Sequence, residues 1–267
     1  MHRTLTMIAA GLIAVAGTAA AQKLSVKQGR TINYRTVGTA LRSMSVQGND
    51  QTDTTLSDNR LALTAVKVGK GQIEWKFSDA EADAKGKPGA PTVDKCITDA
   101  IGTVLTVTNI STPHEASGPH GALKVKFGTA KSRIRRFFLP RLSQLKPGDT
   151  WEETMEDKTA NAQMGMSLNA TTKYRMTFEG IVDTLGASAA RIRWESTSLV
   201  LKGEMNAGGN AMKIDGDGTT TGVSYFSMKD GMLLSRTDDM EVAVRVSTSS
   251  MLIPVLQKQT SVTVRAK

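Results

Sequence analysis

The feature that most constrains this chain is a period of two. "IEWKF" sets Ile73, Trp75 and Phe77 against Glu74 and Lys76, and "LKVKF" repeats the pattern with Leu123, Val125 and Phe127. "KYRMTFE" opposes Tyr174, Met176 and Phe178 to Lys173, Arg175, Thr177 and Glu179. "MEVAVRV" opposes Met240, Val242, Val244 and Val246 to Glu241, Ala243 and Arg245. Side chains alternate across a strand, so each run is a strand with one buried and one wet face. Antiparallel sheets read this way, whereas parallel strands covered on both sides read as continuous apolar runs.

The connections agree. "KVGKGQ", "DTLGAS", "NAGGNA" and "MKDGML" are short Gly or Asp-Gly turns, with Asp230-Gly231 the strongest hairpin signal. Apolar parity flips between "ARIRWES", with Ile192 and Trp194, and "SLVLKGE", with Leu199 and Leu201. A bulge or bend near Ser196 to Ser198 reconciles the two. In "LKPGDTWEET", Pro147 fixes φ, Gly148 permits a positive φ, and Asp149 bonds its own turn. Trp151 then opens a strand as a buried anchor. "DGDG" (Asp215 to Gly218) lacks the glutamate of a calcium loop, Phe226 standing in that place, and reads as a turn.

Helix is scarce. "APTVDKCITDAIG" places Val93, Cys96, Ile97, Ala100 and Ile101 on one stripe, between a Thr92 cap and Gly102. A second short turn fits "TAKSRIRRFFLPRL", stopped by Pro140. "SDAEADAKGKPGAPT" reads as a surface loop.

The first 21 residues have the form of a cleavable signal peptide: Arg3, an apolar run from Leu5 to Val15, then Ala19-Ala20-Ala21. That run falls short of the roughly 20 apolar residues that cross a bilayer. Cleavage after Ala21 leaves Gln22 first, so residues 22–267 are expected to form a single all-β domain, with a candidate sub-domain junction near 128–148. The expected location is periplasmic or extracellular. No cysteine stands near the cleavage point to take a lipid anchor. Cys96 is the only cysteine, so no intramolecular disulfide forms and the core must hold the fold. With aromatics at 4% and 13 methionines, aliphatic and thioether side chains must fill much of that core.

Lys and Arg number 34 against 25 Asp and Glu, a net +9 spread along the chain, with "KSRIRRFF" (Lys131 to Phe138) as its dense cluster. This reads as a solvated basic face, or as one that meets an anionic membrane surface. An exported compartment argues against nucleic acid.

Catalytic chemistry finds little support. His114-Glu115 opens like a zinc-protease motif, but His120 follows six residues on instead of four, and Gly118-Pro119 breaks the helix such a motif needs. "GASAA" half-matches a nucleophile elbow but lies between strands. Glu152-Glu153 and Asp238-Asp239 point to opposite faces as strand neighbours. Cys96 lies on an apolar stripe and reads as an inert thiol. No metal, cofactor or enzymatic activity is expected.

Leu139-Pro140, "LKPGDTWEET", the long strand series and "SMKDGMLLS" together resemble a group of bacterial exported proteins of unknown function with a Gly-Asp-Thr-Trp strand entry. More distantly the chain is similar to the Lol-type periplasmic carriers of lipoproteins and lipids, whose curved antiparallel sheet wraps an apolar cavity around helical elements. The similarity runs from about Leu139 to Ser247, and this chain lacks the acylation cysteine that many such relatives carry. The resemblance implies ligand binding and brings no catalytic residues.

The expectation is therefore a mainly β protein: a large curved antiparallel sheet, open or half-barrel, with one or two short helices. It binds a hydrophobic or amphiphilic envelope ligand, a lipid among the candidates, on its concave face. Met176, Phe178, Met228 and Met240 are the candidate ligand-binding residues, since thioethers suit adaptable pockets; the same side chains serve equally as core. The alternative is a protein-interaction or structural envelope module with no small ligand. Oligomeric state is not legible.

Overall fold

A computed structural model of the chain describes residues 26–69, 72–85, 104–108, 136–138, 146–161, 165–207 and 210–266. The signal segment, the helical stripe around Cys96, the 123–127 strand, the His114–His120 loop and most of the 131–138 cluster lie outside the described residues. Ten strands follow one another: β1 (Thr31–Val46), β2 (Asn49–Gly69), β3 (Gln72–Lys85), β4 (Val104–Thr108) and β5 (Thr150–Asn161), then β6 (Met166–Thr184), β7 (Ala187–Ala207), β8 (Asn210–Ser227), β9 (Leu233–Ser247) and β10 (Leu252–Arg265). No helix occurs among the described residues.

They form one antiparallel sheet in the order β4-β3-β2-β1-β10-β9-β8-β7-β6-β5. Two meanders, β1 to β4 and β5 to β10, are thus joined by a ladder between the first and last strands, with Tyr34 opposite Arg265 and Met44 opposite Val255. β4 and β5 end the sheet, which does not close. The sheet is nevertheless strongly curved. Trp75 of β3 and Phe178 of β6 belong to one buried cluster although six strands separate them. A flat sheet would hold those strands roughly 33 Å apart at the usual strand spacing.

That cluster fills one end of the concave side. Ile32, Tyr34, Leu63, Trp75, Ile192 and Phe226 are among its sheet members, all almost fully buried. The short segment 136–138 threads through it, against the concave face. Phe138 bridges to Met232, Leu233 N–H donates to the Phe137 carbonyl (2.9 Å), and the rings of Phe137 and Phe138 lie 4.6 Å from Tyr34 and 6.2 Å from Trp75. Few aromatics suffice because the segment brings two of them to the middle.

Local signals held at several points. Turn Gln47–Gly48 and turn Leu185–Gly186 each carry two consecutive positive φ values, the backbone of a two-residue hairpin that matches strand twist. The parity flip in β7 is a register shift between Glu195 and Leu199, where Ser196 Oγ accepts from Thr220 N–H at 2.8 Å and Thr197 Oγ1 bonds the Lys173 carbonyl. In the Pro-Gly-Asp entry, Lys146 N–H donates to Asp149 Oδ2 (2.7 Å) and Gly148 has φ +95°. Gly148 N–H and the Asp149 carbonyl then bond Phe178, which docks the turn on β6. Trp151 is half-buried against the cluster and donates its indole N–H to Glu153 (3.0 Å), so it anchors the strand from the margin of the core.

Two local readings are corrected. Ser78 to Lys85 is not loop but the continuation of β3, paired with Leu56 to Ala62; its alternation of acidic with small residues lacks the bulky apolar partners that betray a strand. Asp215 to Gly218 is not a turn but the interior of β8. There Asp215 and Asp217 are exposed, while Gly216 and Gly218 lie where a Cβ would crowd Ala243, Val244 and Val242 of β9.

Candidate functional site: an inner face with two characters

Beyond the packed cluster the inner face continues to the other end of the long strands, and cross-strand partners share it. On β9, β8, β7 and β6 it is apolar: Val242, Val244 and Val246, then Ile214 and Met212, Leu199 and Leu201, and Leu168. Most of these side chains are half-buried. On β10, β1 and β2 it is mixed: Gln257 and Gln259, Arg42, then Thr55, Ser57 and Asp53 are polar, with Arg42 and Asp53 paired at 3.5 Å, while Val255, Ile253 and Met44 carry apolar surface on toward the strand ends. One half of the trough offers aliphatic and thioether surface, the other adds amides, hydroxyls and a paired Arg and Asp.

The outer face is the inverse. Over β6 to β9 it carries Lys173, Arg175, Arg193, Lys202, Asp217 and Arg245, all exposed. An Arg or Lys facing mid-bilayer costs about 2–4 kcal/mol, so this wall is built for water and not for hydrocarbon. Over β2, β1 and β10 it carries aliphatics: Leu56 is 52% exposed, Val37 41% and Val262 41%, with Val37 directly opposite Val262.

Where packed core meets open trough lies a buried polar group. The Arg236 guanidinium carbon sits 4.2 Å from the centroid of the Trp194 ring, and Tyr174 meets that ring edge-on at 5.5 Å. Arg236 Nε and Nη2 both reach Asp238 Oδ1 at 2.7 Å. Burial pushes the Arg236 pKa below its ordinary value, Asp238 opposes that shift, and the nearby Arg136 charge adds to it. A second cluster closes the far end. Asp230, with its side chain 1% exposed, accepts from Arg265 Nη1 and Nη2 (3.0 and 3.2 Å) and from Met232 N–H (3.1 Å), and pairs with Arg30 at 2.9 Å. Burial alone would raise the Asp230 pKa, but the bonds and charge of Arg265, the Met232 N–H and Arg30 hold it below its ordinary value.

The four sequence-predicted residues do not converge. Phe178 is buried in the core cluster; Met176 and Met228 are half-buried against it. Met240 stands apart on the β9 wall, half-buried opposite Gln259, at the border between apolar and polar halves. Sequence reasoning missed Trp194, Arg236 and Ser224, although the isolated Arg on the apolar parity of "LLSRTDDMEV" marks a charge facing inward. No group of acidic, His or Cys side chains suited to a metal occurs among the described residues.

No protein-family model matches the chain, and no curated protein does. Among solved structures it is similar to Neisserial surface protein A, at 8% identity over 88% of this chain and 97% of that one, TM-score 0.25. It is similar also to the hypothetical lipoprotein YmcC from Escherichia coli (K12), at 10% identity over 82% and 85%, TM-score 0.24. A loop-deletion variant of OmpT, an outer membrane protein of Vibrio cholerae, overlaps at 9% identity over 90% and 100%, TM-score 0.26. Similarity at this level carries neither fold nor function across.

Proposed function

We propose that this chain is an exported, non-catalytic β protein of the cell envelope that holds an amphiphilic molecule in the open half of its concave face. One observation carries the reading: level with Val242 and Met240 the inner face passes across the β9–β10 border from an apolar side (Val242, Leu199, Leu201) to a polar one (Gln257, Gln259), and apolar surface resumes beyond it at Val255 and Ile253. A core needs no such division, since polar groups inside a core cost stability unless each is bonded. An amphiphile needs both sides. Met240 stands on the border; Met176, Phe178 and Met228 belong to the packed end against which the ligand would abut. Export rests on the Arg3 to Ala21 segment, and the +9 charge suits an anionic envelope surface.

The test is native mass spectrometry of protein purified from its own host, with a fluorescent fatty-acyl probe as the solution assay. A co-purifying lipid mass and probe binding that survives high salt are expected. Folded wild-type protein that binds no acyl probe of any chain length would end the reading. The exposed aliphatic strip of Val37, Leu56 and Val262 favours the second reading, an interaction module. A co-purifying polypeptide in place of lipid would put that one ahead.

A further inference from the structure

The Trp194–Arg236 group holds more hydrogen-bond donors than it uses. The Trp194 indole N–H and the Ser224 hydroxyl are buried without a partner. Arg236 beside them spends Nε and Nη2 on a single oxygen of Asp238. These donors are neighbours: Ser224 lies directly opposite Arg236 on the β8–β9 ladder, and Trp194 opposite Gly222, two residues before Ser224 on β8. Ser224 is 1% exposed, Trp194 2% and Arg236 7%. A buried donor left without a bond is costly, so two at one place beside a guanidinium call for an acceptor.

We propose that this group binds the anionic oxygen head, carboxylate or phosphate, of an acyl-chain ligand. The chemistry is one-sided: an indole N–H and a guanidinium N–H can only donate, and the hydroxyl is free to do so. Asp238 neutralises one charge, while Arg136 adds another close enough to be felt at Arg236. The face of Trp194 holds the guanidinium plane in place, which fixes the direction of Nη1. The location suits a head group. Arg236 begins the inward series that continues through Asp238, Met240 and Val242 along β9, and beyond the β7 bulge from Trp194 come Leu199 and Leu201. A chain attached to an anion here would run outward over apolar surface. This inference rests on the amphiphile reading and deepens it.

The experiment compares, on delipidated wild-type protein, displacement of a fluorescent acyl probe by palmitic acid, by hexadecanol and by inorganic phosphate. The acid is expected to displace at least tenfold better than the alcohol, and phosphate alone hardly at all. Ser224→Ala and Trp194→Phe should each weaken the acid several-fold and leave the alcohol unchanged, with folding confirmed by circular dichroism. Trp194→Phe keeps an aromatic face under Arg236, so the pair of variants does not depend on losing the guanidinium. Equal displacement by acid and alcohol, with the probe bound, would overturn the head-group site and leave the amphiphile reading standing. Displacement by inorganic phosphate at concentrations matching the acid would overturn it in favour of a free-anion site. Absence of probe binding altogether would remove both readings.

Discussion

Tyr34 and Arg265 face each other across the β1–β10 ladder and bond the same atom. The Tyr34 hydroxyl donates to the Leu233 carbonyl at 3.1 Å and Arg265 Nε donates to it at 2.9 Å. Two strands from opposite ends of the chain thus grip the start of β9, and Arg265 continues to Asp230 in the turn before it. Burial pushes the Tyr34 phenol pKa up, so it remains a donor at all physiological pH.

Asp230 is the group on which that grip depends. Asp230→Asn leaves Arg265 and Arg30 facing a neutral amide, a loss of about 3–5 kcal/mol for a broken buried pair. Its folded pKa lies below its ordinary 3.8, so the stabilisation is present in full above that value and fades as pH falls toward the folded one. Wild-type melting temperature should therefore decline below about pH 4, and Asp230→Asn should flatten that decline. Thermal melts from pH 7 to pH 2 check both.

Gly222 lies where a Cβ would strike the Thr237 carbonyl and the Trp194 ring. Gly222→Ala should destabilise by about 1–3 kcal/mol or more, because backbone on one side and a packed indole on the other leave nowhere to shift. Near-ultraviolet circular dichroism should lose Trp194 intensity, since the ring must leave Arg236.

Gly148 makes the opposite case: no atom lies within 4 Å of its absent Cβ, and only φ +95° requires glycine. Gly148→Ala should cost about 1 kcal/mol through backbone strain alone. Asp149→Asn should be nearly silent because the amide oxygen can still accept from Lys146 N–H. Urea unfolding distinguishes the two.

Phe138 is 6% exposed and ties segment 136–138 to Trp75 and Met232. Phe138→Ala should cost about 3–5 kcal/mol. Trp151→Ala, at a half-buried ring, should cost roughly half as much. Denaturant midpoints for the two variants, measured side by side, give the ratio.

How much of this was legible turns on the range of each signal. Ile192-Trp194 against Leu199-Leu201 disclosed the β7 bulge because parity is a local property. Met-Lys-Asp-Gly disclosed its hairpin because turn chemistry sits in consecutive residues. The pairing of Tyr34 with Arg265 was not legible, since no local pattern records which distant strand becomes a neighbour. β1 and β10 also escaped notice for a physical reason. Thr36, Gly38 and Ala40 face inward while Val37 and Leu41 face out, so the expected contrast of apolar inside and polar outside is reversed there. The candidate site was missed on the same account: methionines drew the eye toward pockets, whereas the unbonded buried donors belong to a tryptophan and a serine beside an arginine.

The β1–β10 seam has a consequence for the order in which the molecule comes together. Each meander can zip by hairpins from its own turns, but the two become one sheet only when residues 34 and 265 meet, across nearly the whole chain. Such a long loop closes slowly and late. A chain emerging end-first would keep its central seam unpaired until its final strand arrived. Linking Ala266 to Val26 by a short peptide and opening the chain in the Leu185–Gly186 turn would make the seam a local hairpin. Such a permutant should refold faster than the native order, because the pairing of residues 34 and 265 would no longer wait on the closure of so long a loop.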